Sequence, residues 1–96
     1  MRIAEVIGTL TLNRAHPSLR GGRFRLVVPM SLDNLSGASA DRDEPLVAYD
    51  EQGAGIGQLV ALSEGGEAAQ PFHPDLKPVD AYLAAQLDRV SVEPLP

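Results

Sequence analysis

The sequence predicts a mainly β domain, a small closed or partly closed barrel of five strands. Three observations predict it. Short segments rich in β-branched and apolar residues recur along the chain, turns containing glycine, proline or aspartate separate them, and helical character is limited to one or two short turns. A barrel is favoured because closure removes the edge strands that would otherwise aggregate.

The first two strands contain a glycine and a proline whose positions carry information. We predict strand one over Ile3–Leu12, bent at Gly8, because glycine inside a strand often marks a kink. Strand two is predicted over Arg23–Met30, with Pro29 at its end or on an edge, because proline cannot donate to a ladder. Surface loops are predicted at 13–22, 31–44 and 71–78.

The rest of the chain supplies three shorter strands, predicted at Pro45–Tyr49, Gly57–Leu62 and Leu87–Val92. One helical turn is predicted over Glu64–Gln70 with Ser63 as its cap, and another over Val79–Ala85. This order favours a five-stranded OB-like β-barrel over residues 1–92. Residues 93–96 are expected to form an extended tail, because two of the four are proline.

Length and composition exclude several classes of protein. Ninety-six residues make one domain. Without cysteine there is no disulfide, thiolate metal site or cysteine nucleophile. No apolar run approaches the roughly 20 residues that cross a bilayer, so a cytoplasmic soluble protein is expected.

The net charge of −5 is unevenly distributed. Residues 1–40 carry five arginines against Glu5 and Asp33, giving +3, and residues 41–96 carry three basic and eleven acidic groups, giving −8. An acidic chain repels phosphate backbones. The asymmetry could help unlike faces of neighbouring subunits to associate, although a solvated surface is the commoner explanation.

No catalytic, cofactor-binding or metal-binding residue is predicted. His16 and His73 both stand beside prolines in predicted loops, without the spacing of a metal site. The carboxylates are interpreted as solvated charges, because general acid–base catalysis needs a desolvated cleft. They are Asp41, Asp43, Glu44, Asp50 and Glu51.

The most unusual local feature is Gly53-Ala54-Gly55-Ile56-Gly57. It is not a dinucleotide fingerprint, since its spacing differs and a strand rather than a helix follows. Glycines there permit close backbone approach, either in a tight turn of one subunit or between chains. An OB-fold protein that binds single-stranded nucleic acid remains the alternative function, with Arg20, Arg23 and Arg25 flanking Phe24.

Taken together, these motifs resemble the vertex proteins of bacterial microcompartments, of the EutN/CcmL type, found in carboxysomes and in ethanolamine- and propanediol-type organelles. The resemblance covers nearly the whole chain. It rests on five motifs in order: Met1-Arg2-Ile3-Ala4-Glu5-Val6-Ile7-Gly8-Thr9, His16 to Gly21, Pro45 to Asp50, Gly53 to Gly57 and Pro78 to Ala81.

The resemblance implies a homopentamer of OB-like barrels that caps the icosahedral vertices of a shell built otherwise from hexameric proteins, without catalysis or cofactor. Neither nucleic acid nor a membrane is expected as a partner. Candidates for subunit interface or axial pore are Gly53, Ala54, Gly55, Gly57, Ser63, Glu64, Gly65 and Gly66. Candidates for contact with other shell proteins are Arg14, His16, Pro17 and Arg20.

Two positions depart from the pattern of that family. Members often carry a Gly-Ser-Ser-Ala-Arg-like stretch after the fourth strand, where this chain has Ser63 to Gln70 without the arginine. The position after Gly57, often acidic in the family, is Gln58. Charge-dependent contacts or pore properties are therefore expected to differ here.

Overall fold

The computed structural model describes residues 1–11, 17–19, 23–72 and 79–92. The strands are β1 (Arg2–Leu10), β2 (Arg23–Pro29), β3 (Leu46–Asp50), β4 (Leu59–Glu64) and β5 (Ala81–Gln86). The helical segments are a 3₁₀ turn (Pro17–Leu19), helix α1 (Leu32–Ser36) and a longer 3₁₀ segment (Gly65–Phe72). None of the helical segments in these ranges has the length and hydropathy of a membrane-spanning helix. The predicted tail at 93–96 lies outside the described residues.

The strands close into a barrel in the order β1-β2-β3-β5-β4, with β4 pairing back to β1. Every neighbouring pair is antiparallel except β3 and β5, which run parallel and meet at Tyr49 and Tyr82. The predicted five-stranded OB-like barrel is confirmed.

The barrel interior is filled by small and medium apolar side chains. In β1, for example, Ala4 and Val6 are fully buried while Ile7 is exposed, as the two-residue period of a strand requires. Burying each valine or leucine completely stabilises the fold by about 1.5–3 kcal/mol. The core comprises Ala4, Val6, Val27, Ala48, Ala54, Val60, Leu62, Ala81 and Leu83.

Both predicted irregularities of the first two strands are confirmed. The register between β1 and β2 shifts between Val6 and Gly8, which is the bend expected at that glycine. Pro29 is the last residue of β2, where its missing N–H interrupts no further ladder.

The prediction for the C-terminal elements was wrong. Val79–Ala85 forms no helical turn and Leu87–Val92 no strand, because β5 occupies Ala81–Gln86 instead. The alanines of this segment favour helix locally, but pairing with β4 buries Ala81 and Leu83 and overrides that preference. The fourth strand is also displaced, running over Leu59–Glu64, so that Ser63 lies within a strand and caps no helix.

Helix α1 lies where a loop was predicted. The Ser31 side chain accepts a hydrogen bond from the Asn34 backbone N–H at 3.1 Å, and the Asn34 side chain accepts one from the Ser31 N–H at 3.0 Å. Gly37 ends the helix in the left-handed conformation, at φ 83°. Asparagine replaces the usual Glu or Gln of this capping box, which concealed the pattern.

Candidate subunit-contact site

The glycine-rich turn, residues 53–57, closely follows Asp50, the last residue of β3, whose side chain is fully buried. One carboxylate oxygen, Oδ1, accepts backbone hydrogen bonds from Gln52 at 2.7 Å and Gly53 at 3.1 Å. The other, Oδ2, accepts one from Ala54 at 2.8 Å. Three hydrogen bonds to one carboxylate fix the start of the turn.

Arg25 of β2 completes this arrangement. Its Nε lies 3.4 Å from Asp50 Oδ2 and donates to the Ala54 carbonyl at 2.8 Å, and its Nη1 donates to the Phe24 carbonyl at 3.2 Å. The Arg25 side chain is 13% exposed, so this ion pair is largely desolvated. The interpretation of Asp50 as a solvated charge is therefore wrong, because it shares the inward face of β3 with Ala48.

Two glycines of the turn have backbone conformations that other residues rarely adopt. Gly53 has φ 75° and Gly57 has φ 89°. A Cβ on Gly53 would also lie 2.7 Å from Arg23 Nη1. At the far end of the turn the Gly57 N–H donates to the Val6 carbonyl at 2.7 Å, so both ends of the turn are anchored.

The four predicted interface residues of the turn differ in exposure. Ala54 is 1% exposed and belongs to the core of its own barrel, and Gly53 is half-buried, so both serve tight packing within one subunit. Gly55 and Gly57 are exposed. Between them Ile56 is 71% exposed, which the sequence did not predict because the exposure of an apolar turn residue depends on how the turn packs.

The second group of interface candidates lies at the other end of β4. Ser63 is nearly buried, and Glu64 accepts two hydrogen bonds from Arg2, at 2.7 and 2.6 Å. Those bonds lower the pKa of Glu64 and raise that of Arg2. Gly65, at φ 66°, donates its N–H to the Asp80 carbonyl at 2.8 Å, and Gly66 follows it in the 3₁₀ segment.

The structure does not bring the two groups together. The glycine-rich turn precedes β4, and the segment from Ser63 to Gly66 includes the end of that strand. Ser63 follows Gly57 by six residues, so at about 3.3 Å per residue of extended strand the two groups are separated by on the order of 20 Å. We therefore treat them as two separate candidate contacts.

Of the shell-contact candidates, Pro17 is exposed and begins the 3₁₀ turn Pro17–Leu19. Arg14, His16 and Arg20 lie outside the described residues.

All four aromatic residues of the chain form one cluster. Phe24, Tyr49 and Tyr82 stand in register across β2, β3 and β5, with Phe72 of the longer 3₁₀ segment packed against the two tyrosines. Ring centroids are 5.3–6.5 Å apart. Tyr49 lies on the outward face of β3 yet is only 3% exposed, because the other three rings surround it.

This cluster disfavours the nucleic-acid alternative. A single-strand binder presents aromatic faces for base stacking beside basic groups. Here the rings pack on each other, Arg25 is engaged by Asp50, and the Tyr82 hydroxyl donates to Glu51 at 3.0 Å. Burial and then the Glu51 carboxylate raise the pKa of Tyr82, which favours the neutral hydroxyl that donates to Glu51.

The part of the chain that the structure describes contains no group of three His, Cys, Asp or Glu side chains able to hold a metal ion. His16 and His73 lie outside it. The fold and site define a small barrel subunit whose notable surface features are potential contact points.

Comparison with known proteins gives the family. The model described as "Ethanolamine utilisation protein EutN/carboxysome" matches residues 1–88. The chain is 38% identical over 93 residues to the carboxysome shell vertex protein CcmL of Synechococcus elongatus, covering 97% of this chain and 89% of that protein. It is 35% identical over 92 residues to the microcompartment shell vertex protein PduN of Salmonella typhimurium, covering 95% and 99% respectively.

Among solved structures, the pentameric microcompartment shell protein GrpN of Rhodospirillum rubrum superposes with a TM-score of 0.78 at 26% identity, covering 97% of this chain and all of that one. The chain belongs to the EutN/CcmL family of bacterial microcompartment shell vertex proteins. It is thus a structural shell component and not an enzyme, as the sequence predicted.

Proposed function

We propose that five copies of this chain close a ring that occupies the vertices of a microcompartment shell and contacts the hexameric proteins of its facets. The observation that carries the proposal is the match of 97% of the chain to a shell vertex protein, with the glycine-rich turn intact in a closed barrel. A ring of identical subunits needs two unlike faces on each subunit, and closes at five when each is rotated by about one fifth of a turn.

The ring contacts are proposed to involve the glycine-rich turn and the segment from Ser63 to Gly66. Their separation along β4 supports a pair of distinct contacts rather than one. Electrostatic steering between subunits receives less support, because Arg2, Arg25 and Arg42 each pair with a carboxylate of their own chain. Apolar contact is therefore the expected source of affinity.

Sedimentation velocity and native mass spectrometry test the ring. We expect a species of five subunits at micromolar concentration. A strict monomer under these conditions would contradict the proposal.

Contact with hexameric shell proteins is tested by co-expression and electron microscopy. The sequence-based candidates are reversed in charge as Arg14→Glu with Arg20→Glu, and the exposed Arg89→Glu is the matched control. We expect the double variant to remain pentameric but leave shells unclosed at their vertices, whereas the control closes them. Closed shells with the double variant would reject these contact residues.

A further inference from the structure

An isoleucine pair is exposed beside the glycine-rich turn. Ile56 is 71% exposed and Ile7 is 42% exposed. The Gly57 N–H donates to the Val6 carbonyl, and the Val6 N–H donates to the Gln58 carbonyl at 3.0 Å. The residues next to each isoleucine are therefore bonded to one another, and Ile7 and Ile56 together form what we call the isoleucine tip.

The tip is presented on a fixed backbone. Asp50 and Arg25 hold the start of the turn through Ala54, and the Gln58 N–H donates to the Gly55 carbonyl at 3.1 Å across Ile56. A side chain on an ordered turn loses little backbone freedom when it binds, so more of its burial energy appears as affinity. Ile56 thus has the properties of an anchor in a protein interface.

The composition of the turn indicates what would cover it. Residues 53–57 carry no charged side chain, as is typical of the centre rather than the rim of an interface. Gly55 and Gly57 flank Ile56. Among the described residues, a Cβ added to either glycine would meet no atom within 4 Å beyond its own chain neighbours, so another backbone has room to approach.

We propose that the isoleucine tip packs against a second copy of this chain and is the apolar anchor of the contact between neighbouring subunits. This inference rests on the proposed pentamer and adds the residues that hold it together. A second copy is the expected occupant, because the family includes a pentameric shell protein of the same fold and because the tip is apolar and preorganised.

The test compares Ile56→Ser with Leu32→Ser, which removes an equally apolar side chain, 61% exposed, from helix α1. Native mass spectrometry and sedimentation over a concentration series give the subunit dissociation constant, and thermal unfolding monitored by circular dichroism verifies folding. Because Ile56 is exposed, the variant is expected to fold. We expect Ile56→Ser to raise the dissociation constant at least about tenfold, with Ile7→Ser weaker in effect and Leu32→Ser unchanged.

The outcomes separate this inference from the proposed function. A wild-type monomer rejects the pentamer and the anchor together. A wild-type pentamer with an Ile56→Ser variant of equal affinity rejects the anchor alone. Equal weakening by Ile56→Ser and Leu32→Ser shows a general effect of surface hydrophobicity and also rejects the anchor. Selective loss with Ile56→Ser supports it.

Discussion

Asp50 and Arg25 form hydrogen bonds with the two backbone polar groups of one buried residue, Ala54. The Asp50 carboxylate accepts from the Ala54 N–H and the Arg25 guanidinium donates to the Ala54 carbonyl, both at 2.8 Å. A loop is rarely buried because its backbone polar groups then lack water. Here the ion pair satisfies both groups of Ala54, which explains how the turn enters the core.

Asp50→Asn should therefore be strongly destabilising. The amide removes the charge opposite Arg25, and its NH₂ group replaces one acceptor that the turn amides need. Breaking a buried pair costs about 3–5 kcal/mol, a large part of the stability of a small domain. Chemical denaturation gives the free energy of unfolding.

Asp43→Asn is the matched control for that measurement, because Asp43 is exposed, and should lie within about 0.5 kcal/mol of wild type. If Asp50→Asn proved as mild as this control, the carboxylate would not hold the turn.

The same residues show why sequence predicted some features and missed others. The barrel followed from local alternation, as in β1. The burial of Asp50 depends on Arg25, which lies far away in sequence and meets it only through the pairing of β2 with β3. The location of β5 likewise depends on pairing with β4, since its alanines fit a helix equally well. The exposure of the Ile56 side chain was not predicted, because it depends on where the turn meets β1.

The Arg2–Glu64 pair predicts a pH-dependent contribution to stability. The pKa of Glu64 is lower in the folded state than its ordinary value of 4.5. The stability that the pair contributes is therefore present above pH 4.5 and is lost as the pH falls through the folded pKa. It should be small and weakened by salt, since the side chains are 46% and 35% exposed. Unfolding of wild type and Glu64→Gln, measured from about pH 6 down to pH 3, should converge at the acidic end.

Glu44→Gln, at an exposed position, serves as the control for the Glu64 measurement. A difference between wild type and Glu64→Gln that stays constant over the whole pH range would show that the pair contributes no linked proton.

Tyr82 should make the stability fall at alkaline pH, whereas the Arg2–Glu64 pair makes it fall at acidic pH. Burial, and then Glu51, raise its pKa above the ordinary value of 10.0, so its contribution to stability is complete below that value and is lost as pH rises through the folded pKa. Glu51→Gln should move the pKa of Tyr82 down toward 10.0. Ultraviolet titration of the phenolate in a Tyr49→Phe background isolates this tyrosine, and an unchanged midpoint would assign the rise to burial alone.

Gln58 provides the last prediction, at a position that is often acidic in the family. Its side-chain Nε2 donates to the Leu87 carbonyl at 2.9 Å, which ties the start of β4 to the end of β5. In Gln58→Glu the carboxylate cannot donate and faces that carbonyl oxygen, so the free energy of unfolding should fall by about 1–3 kcal/mol at neutral pH. Protonating the carboxyl restores a donor, so the loss should shrink near pH 4.

Gln70→Glu, at an exposed position, is the control. A variant as stable as wild type at neutral pH would show that Leu87 is held without this bond.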